Sequence, residues 1–300
     1  MTERRHERGQ AAVLTVVFMI VLLGIAAAVL DVGSWYKEDR ELQATMDAAA
    51  LAGAQALPED PAEATALADQ YSTTNGGGLD ETEITTTKIT DDTIQVTGSR
   101  PAPGFFSKVI GIDSVTVNAT ATARVGVLAN AKWAAPIAVD EQHPYLQAKR
   151  WGEETTLELD TLGPGAYRLL NIDGSYGGTN PATLGDWIRD GYEGYMPLGD
   201  YYSDPGAKYN TNPNFKSALE EVIATGQELL FPVYRSYHEQ GAGFVYEIVG
   251  WVGFVVTDFT IKGSKDNEIE GYFTQVIWDG IFSEEASPDD FGARAVSLVE

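Results

Sequence analysis

Residues 31–57, DVGSWYKEDRELQATMDAAALAGAQAL, follow directly on twenty apolar residues, and no strong turn signal parts the two stretches. Trp35, Leu42, Met46, Ala49, Ala50, Gly53 and Leu57 recur at spacings of three, four and seven, which places them near one helical face. Lys37, Glu38, Arg40, Glu41 and Asp47 mostly line the other face. Gly33 is only a weak break and Ser34 only a local cap, so the pattern predicts one long helix, bent if anywhere at Gly33 and ended by Pro58. The fold turns on what an apolar helix with a small-residue continuation packs against.

The preceding run, Ala11 to Leu30 (AAVLTVVFMIVLLGIAAAVL), carries no charge. As a helix it is about 30 Å long, the thickness of a bilayer's hydrocarbon core. Residues 1–10 carry three Arg against two Glu, while the remainder of the chain sums to −25 within a total of −24. The positive-inside rule then keeps the short N-terminus cytoplasmic and exports the rest. Trp35, Tyr36 and Lys37 fall where an aromatic belt and a snorkelling lysine meet the outer interface. Ala26-Ala27-Ala28 also fits the cleavage region of a signal peptide. Against that, the run exceeds the usual apolar core of about 7–15 residues, and Val29 and Leu30 continue it. An uncleaved anchor in the lipid bilayer is the expectation, with Gly24 and Ala28 as a small-residue pair suited to helix contact in the membrane.

Three hundred residues suffice for one or two domains. The net charge of −24 argues against nucleic acid as a partner. The chain has no cysteine, which excludes a disulfide scaffold, thiolate metal sites and a cysteine nucleophile.

After Pro58, Asp60-Pro61-Ala62-Glu63 signals a second helix, with Asp60 as N-cap and Ala64, Leu67, Ala68 and Tyr71 on its apolar face. Asn75-Gly76-Gly77-Gly78 stops it. EITTTKITDDTIQVTG reads as a hairpin turning at Asp91-Asp92. Phe105, Phe106, Val109 and Ile110 suggest a short helix after Pro103-Gly104. In VTVNATATARV, Val115, Val117, Ala119, Ala121, Ala123 and Val125 alternate with polar residues, the period of a half-buried strand. Small residues on helix and strand allow close approach, which predicts a pilin-like stalk: the upper half of the long helix on a sheet, the lower half in the membrane.

Residues 8–57, within about the first sixty of the chain, resemble the TadE/TadG-like proteins of Flp (tight-adherence) pilus assembly. The matching features are Arg8-Gly9-Gln10, the apolar span, Asp31-Val32-Gly33, Leu42-Gln43 and Asp47-Ala48-Ala49-Ala50-Leu51-Ala52-Gly53-Ala54. FFSKVIGIDSVTVNATATARV is similar to the sheet portion that often follows. The resemblance implies an inner-membrane accessory of a fibre-export machine, not an enzyme, with other pilus-assembly or envelope proteins as partners. Leu14 stands five residues after Gly9, where processed members carry glutamate, so the resemblance points to the uncleaved TadG-type branch. Some of those carry a metal-binding D-x-S-x-S loop. Asp173-Gly174-Ser175 approaches it, but Gly177 replaces the last serine, and a Gly-rich turn is the better reading.

From about Lys132 strands dominate: TTLEL, AYRLLNI, ELLFPVY, FVYEIVGWVGFVVTDFTI and GYFTQVIW, with helices at PATLGDWIRDGY and NPNFKSALEEVIATG, the latter capped by Asn212. Phe244–Ile261 is interrupted by Glu247 and Asp258 and rich in β-branched residues, so it reads as strand, not as a second span. His143 and His238 lie far apart and fit no zinc motif. Asp200, Asp204, Asp266 and Glu268 match no calcium loop. WIRDGYEGYMPLGDYYSDPG reads equally as a recognition loop and as core aromatics.

The expectation is thus an α+β chain without cofactor or metal. Residues 1–10 are cytoplasmic, 11–30 transmembrane, 31–130 a stalk-and-sheet domain and 131–300 an exported β-rich domain. The stalk helix is expected to pack on its own sheet or on a neighbouring copy. The expected function is a bacterial inner-membrane accessory of Tad pilus assembly. A stand-alone surface binding module is the alternative, and a hydrolase a more distant one.

Overall fold

The computed structural model describes residues 4–158, 167–175, 180–203, 213–240, 243–261, 267–283 and 289–299. The chain divides into two units, Met1–Arg124 with Ser297–Glu300, and Val125–Val296. The fold class is α+β, as expected.

The first unit is built on helix α1 (Arg4–Ala54), which runs without interruption through Gly33. It ends three residues before Leu57, and a turn carries the chain past Pro58. Helix α2 (Pro61–Thr74) starts as the capping signal predicts: Asp60 Oδ1 accepts from the Glu63 N–H at 2.9 Å, and Pro61 occupies a first-turn position that needs no donor. Its inner face differs from expectation. Ala64, Ala68 and Ser72 are buried, whereas Tyr71 is exposed. α1 comes so close here that a Cβ on Gly53 would lie 2.7 Å from the Ala64 carbonyl oxygen, so this row admits only small side chains.

Strands β1 (Glu81–Thr85), β2 (Thr93–Pro103) and β3 (Ser114–Ala131) form an antiparallel meander. The β1–β2 turn is organised by Asp92, which is wholly buried. Its carboxylate accepts from the backbone N–H groups of Thr87, Lys88 and Ile89 at 2.8, 2.8 and 3.1 Å, and from the Thr87 and Thr93 hydroxyls. The period-two reading of β3 holds: Val117, Ala119, Ala121 and Ala123 are buried, opposite Arg100, Gly98, Val96 and Ile94 of β2. Between Pro103 and Ser114 the short helix is a single 3-10 turn, Ser107–Ile110, ended by Gly111 at φ 86°.

The second unit contains, in chain order, β4 (Ile137–Asp140), α3 (Pro144–Gln147), β5 (Glu154–Glu158), β6 (Tyr167–Leu169), α4 (Pro181–Arg189), β7 (Met196–Pro197) and β8 (Gly199–Tyr202). There follow α5 (Pro213–Thr225), β9 (Glu228–Gln240), β10 (Gly243–Thr260), β11 (Glu268–Thr274), β12 (Val276–Ile277), β13 (Gly280–Phe282) and β14 (Ala293–Val299), of which residues from Ser297 belong to the first unit, as β3 from Val125 belongs to the second. Its main sheet has the order β5-β11-β10-β9-β4-β6, with β8 also paired to β10. β4 and β9 run parallel, the other pairs in this sheet antiparallel.

The stretch from Phe244 to Thr260 is a strand, as its β-branched composition predicts. β10 bends through register shifts around Ile248 and between Val256 and Asp258. Leu184 and Ile188 of α4 and Phe215, Leu219 and Val222 of α5 share one buried core with Phe231, Val252, Phe254 and Phe273. Gly271 makes room in it: a Cβ there would come within 2.6 Å of the Phe254 ring.

Candidate functional site

The only described helix long and apolar enough to cross a membrane is the one containing Ala11–Ala54. Within Ala11–Leu30 every side chain is exposed except Ala27, which is half-covered. From Asp31 onward one face of the same helix becomes buried against the first unit's sheet and α2: Leu42, Met46, Ala49, Ala50 and Ala54 have no exposed surface.

Four polar contacts fasten this helix to the β2–β3 hairpin. Gln43 Nε2 donates to the Thr120 carbonyl at 3.0 Å and to Asp47 Oδ1 at 2.8 Å, so Asp47 orients the amide that meets β3. Arg100, on the inward face of β2, pairs with Glu38 at 3.1 Å and Glu41 at 3.6 Å and donates to the Glu38 carbonyl. Trp35 Nε1 donates to the Pro103 carbonyl at 3.3 Å. Asp31 is 2% exposed, and its carboxylate gathers the backbone N–H groups of Phe105, Phe106 and Ser107 at 2.5–3.1 Å.

Burial drives the Asp31 carboxyl's pKa up, but the N–H groups of Phe106, Phe105 and Ser107 outweigh it and hold the group below the ordinary carboxylate value. A carboxylate with a depressed folded pKa stabilises the fold above its unfolded pKa, and that contribution is lost as pH falls through the folded value. Amide protection at Phe105, Phe106 and Ser107, corrected for intrinsic exchange, is therefore expected to hold at neutral pH and to fall only below about pH 4. In Asp31→Asn it is expected to be low throughout. Hydrogen exchange read residue by residue checks this, and pH-independent protection in the parent chain would refute it.

The remaining residues singled out above are placed as follows. Tyr36 is exposed, with the Arg40 guanidinium 5.3 Å from its ring and Arg40 Nε bonded to its hydroxyl at 3.0 Å. Lys37 pairs with Glu41 at 3.0 Å, one turn along. Gly24 and Gly33 have open space where a Cβ would stand. Leu51 is half-buried, and Gly53 lies against α2 and Ile94.

A local motif reveals Asp31 as a helix residue but not its ligands, which lie more than seventy positions away. Arg100 was missed altogether. Its only sequence signal is a cation in an otherwise small and apolar row of β2.

In the second unit His143 is buried and caps α3, its Nδ1 accepting from the Tyr145 N–H at 3.2 Å, while His238 lies exposed on β9. Asp173 accepts from the Ser175 N–H at 2.9 Å in a local turn. Gly177, Asp204, Asn212 and Asp266 lie outside the described residues. Among the described residues no group of three or more His, Asp or Glu side chains could hold a metal ion. Of the aromatics in the candidate recognition loop, Tyr201 is core and Tyr195 is exposed.

Residues 9–56 match the family model described as putative Flp pilus-assembly TadE/G-like. The N-terminal segment is TadE/G-like. The match spans the apolar run and the buried helix face together, and it stops where α1 gives way to the turn before α2. Within the matched segment Asp31 holds the helix to the loop after β2, Gln43 holds it to β3 with Asp47 bonded to its amide, and Gly53 lies against α2 and Ile94. The chain matches no curated protein and no solved structure.

Proposed function

We propose that this chain is a single-pass inner-membrane accessory of Tad (Flp) pilus assembly, with a cytoplasmic N-terminus and the part beyond the span exported. The observation that carries this reading is the TadE/G-like match over residues 9–56, on a helix whose first half is apolar and exposed. The orientation is supported by the charge asymmetry, a basic N-terminal decapeptide against a strongly acidic remainder. In this reading residues 31–130 are the stalk and sheet and residues 131–300 the head. The role is non-enzymatic: the span retains and orients the protein, and stalk and head meet other pilus or envelope proteins.

The test is a count of surface fibres by electron microscopy in the parent strain, in a strain deleted for the gene, and in that strain carrying the intact gene. Fibres are expected to be lost on deletion and restored by the gene. Fibres unchanged in number and length would overturn the assembly role and leave the head as an independent binding module.

A further inference from the structure

We propose that the loop Phe105–Ile112 is a second membrane contact, seated in the headgroup and upper acyl region of the bilayer beside the end of the α1 span. The proposal rests on α1 crossing the bilayer at Ala11–Leu30.

The contacts between helix and hairpin descend in order. Gln43 meets Thr120, Glu38 and Glu41 meet Arg100, Trp35 meets Pro103, and Asp31 meets the loop itself. Twelve helical residues separate Gln43 from Asp31, about 18 Å of rise, so the hairpin runs down the helix until its tip is level with the end of the apolar run. Ala27, one turn below Asp31 on the same face, is the single half-covered residue of Ala11–Leu30. The loop thus stands at the border of the span.

At that level it presents an apolar surface. Phe105 is 64% exposed, Phe106 48%, Val109 89%, Ile110 76% and Ile112 41%. A cluster of this kind is costly in water and is the signature of an interfacial membrane contact when a cation accompanies it. Lys108 supplies the cation, exposed within the same turn and placed to reach lipid phosphates.

The backbone also suits a low-dielectric setting, where unpaired N–H groups are expensive. Asp31 takes those of Phe105, Phe106 and Ser107. Those of Gly104, Val109, Gly111 and Ile112 go to the carbonyls of Asp113, Phe106, Lys108 and Ser107. The Ser107 hydroxyl closes the loop onto the Ile112 carbonyl at 3.0 Å. Asp31 is a positioning residue: it pins the loop at the depth where the apolar run ends.

The chain has no cysteine, so a single introduced thiol reports one site. The full-length protein bearing Val109→Cys, labelled with an environment-sensitive nitrobenzoxadiazole dye, is reconstituted into phosphatidylcholine–phosphatidylglycerol liposomes. Val17→Cys serves as the mid-span control. Gln55→Cys, just past the end of α1 and about 36 Å of helix rise beyond Leu30, serves as the aqueous control.

The dye at position 109 is expected to emit blue-shifted relative to position 55. It should be quenched by lipids carrying a doxyl group near the headgroup and shielded from iodide. If position 109 behaves like position 55 while position 17 is quenched by lipid, the loop contact is overturned and a protein partner becomes the better occupant. If position 17 also escapes lipid quenching, the span fails and the loop contact fails with it.

Discussion

Phe254→Ala is expected to destabilise the second unit by about 3–5 kcal/mol, the usual cost of deleting a wholly buried aromatic side chain. The ring stacks on Phe231 at 4.9 Å with planes 16° apart and meets Phe273 edge-on at 5.1 Å. It also lies over Gly271, whose missing side chain is the space the ring uses. Truncation leaves a hollow bordered by two aromatic rings and a glycine, and neither collapses into it without breaking the β9–β10–β11 register. Amide exchange of β9, β10 and β11 in the full-length protein is expected to speed up by roughly two to three and a half orders of magnitude, since 1.4 kcal/mol is about tenfold. Tyr195→Ala, at an exposed position, is the control and is expected to stay within about 0.5 kcal/mol. Equal exchange in the two variants would show that the aromatic stack does not hold this sheet.

Such an effect was legible in one dimension only. The β-branched content of residues 244–261 identifies a strand, and Glu247 and Asp258 argue against a span, because both signals are local. Its neighbours are not local. β5 pairs with β11 across more than a hundred residues, and β4 runs parallel to β9, so the sheet order depends on packing that no window of sequence records. The polar end of β9, Arg235 to Gln240, shows the same limit: it has no strand pattern of its own and is strand because β10 pairs with it.

The first unit was more legible, since a helix of 3.6-residue period and a strand of period two both write their buried faces into the sequence. The long helix, the Asp60 cap, the hairpin and the alanine face of β3 all follow from spacing. What spacing could not show is which polar residue meets which. Asp31 reads as the first residue of a motif just beyond the apolar run and is in fact the anchor of a loop at residues 105–107. Trp35, whose ring suits an interfacial belt, donates its indole N–H to the hairpin. Tyr71 and Ser72 exchanged places for a related reason, because side-chain size at a close crossing outweighs hydrophobicity.

That crossing carries the last prediction. Gly53→Val is expected to destabilise the first unit by about 3 kcal/mol, the upper end of the overpacking range. A Cβ at Gly53 would stand 2.7 Å from Ile94 Cδ1, 2.7 Å from the Ala64 carbonyl oxygen and 3.2 Å from Ala68 Cβ. Ile94 can swing its terminal methyl aside, but the Ala64 oxygen is backbone, so α2 itself must retreat. The helix-propensity gain on leaving glycine, at most about 1 kcal/mol, does not offset that. Gly24→Ala and Gly33→Ala isolate the propensity term, because nothing lies within 4 Å of either position. Both are expected to be neutral or slightly stabilising. Exchange at the α2 amides in the full-length protein distinguishes the cases: α2 should lose protection in Gly53→Val and keep it in the other two. Unchanged α2 protection in Gly53→Val would mean that the crossing yields at little cost, and that the small-residue face of the TadE/G-like helix is kept for a contact outside its own unit.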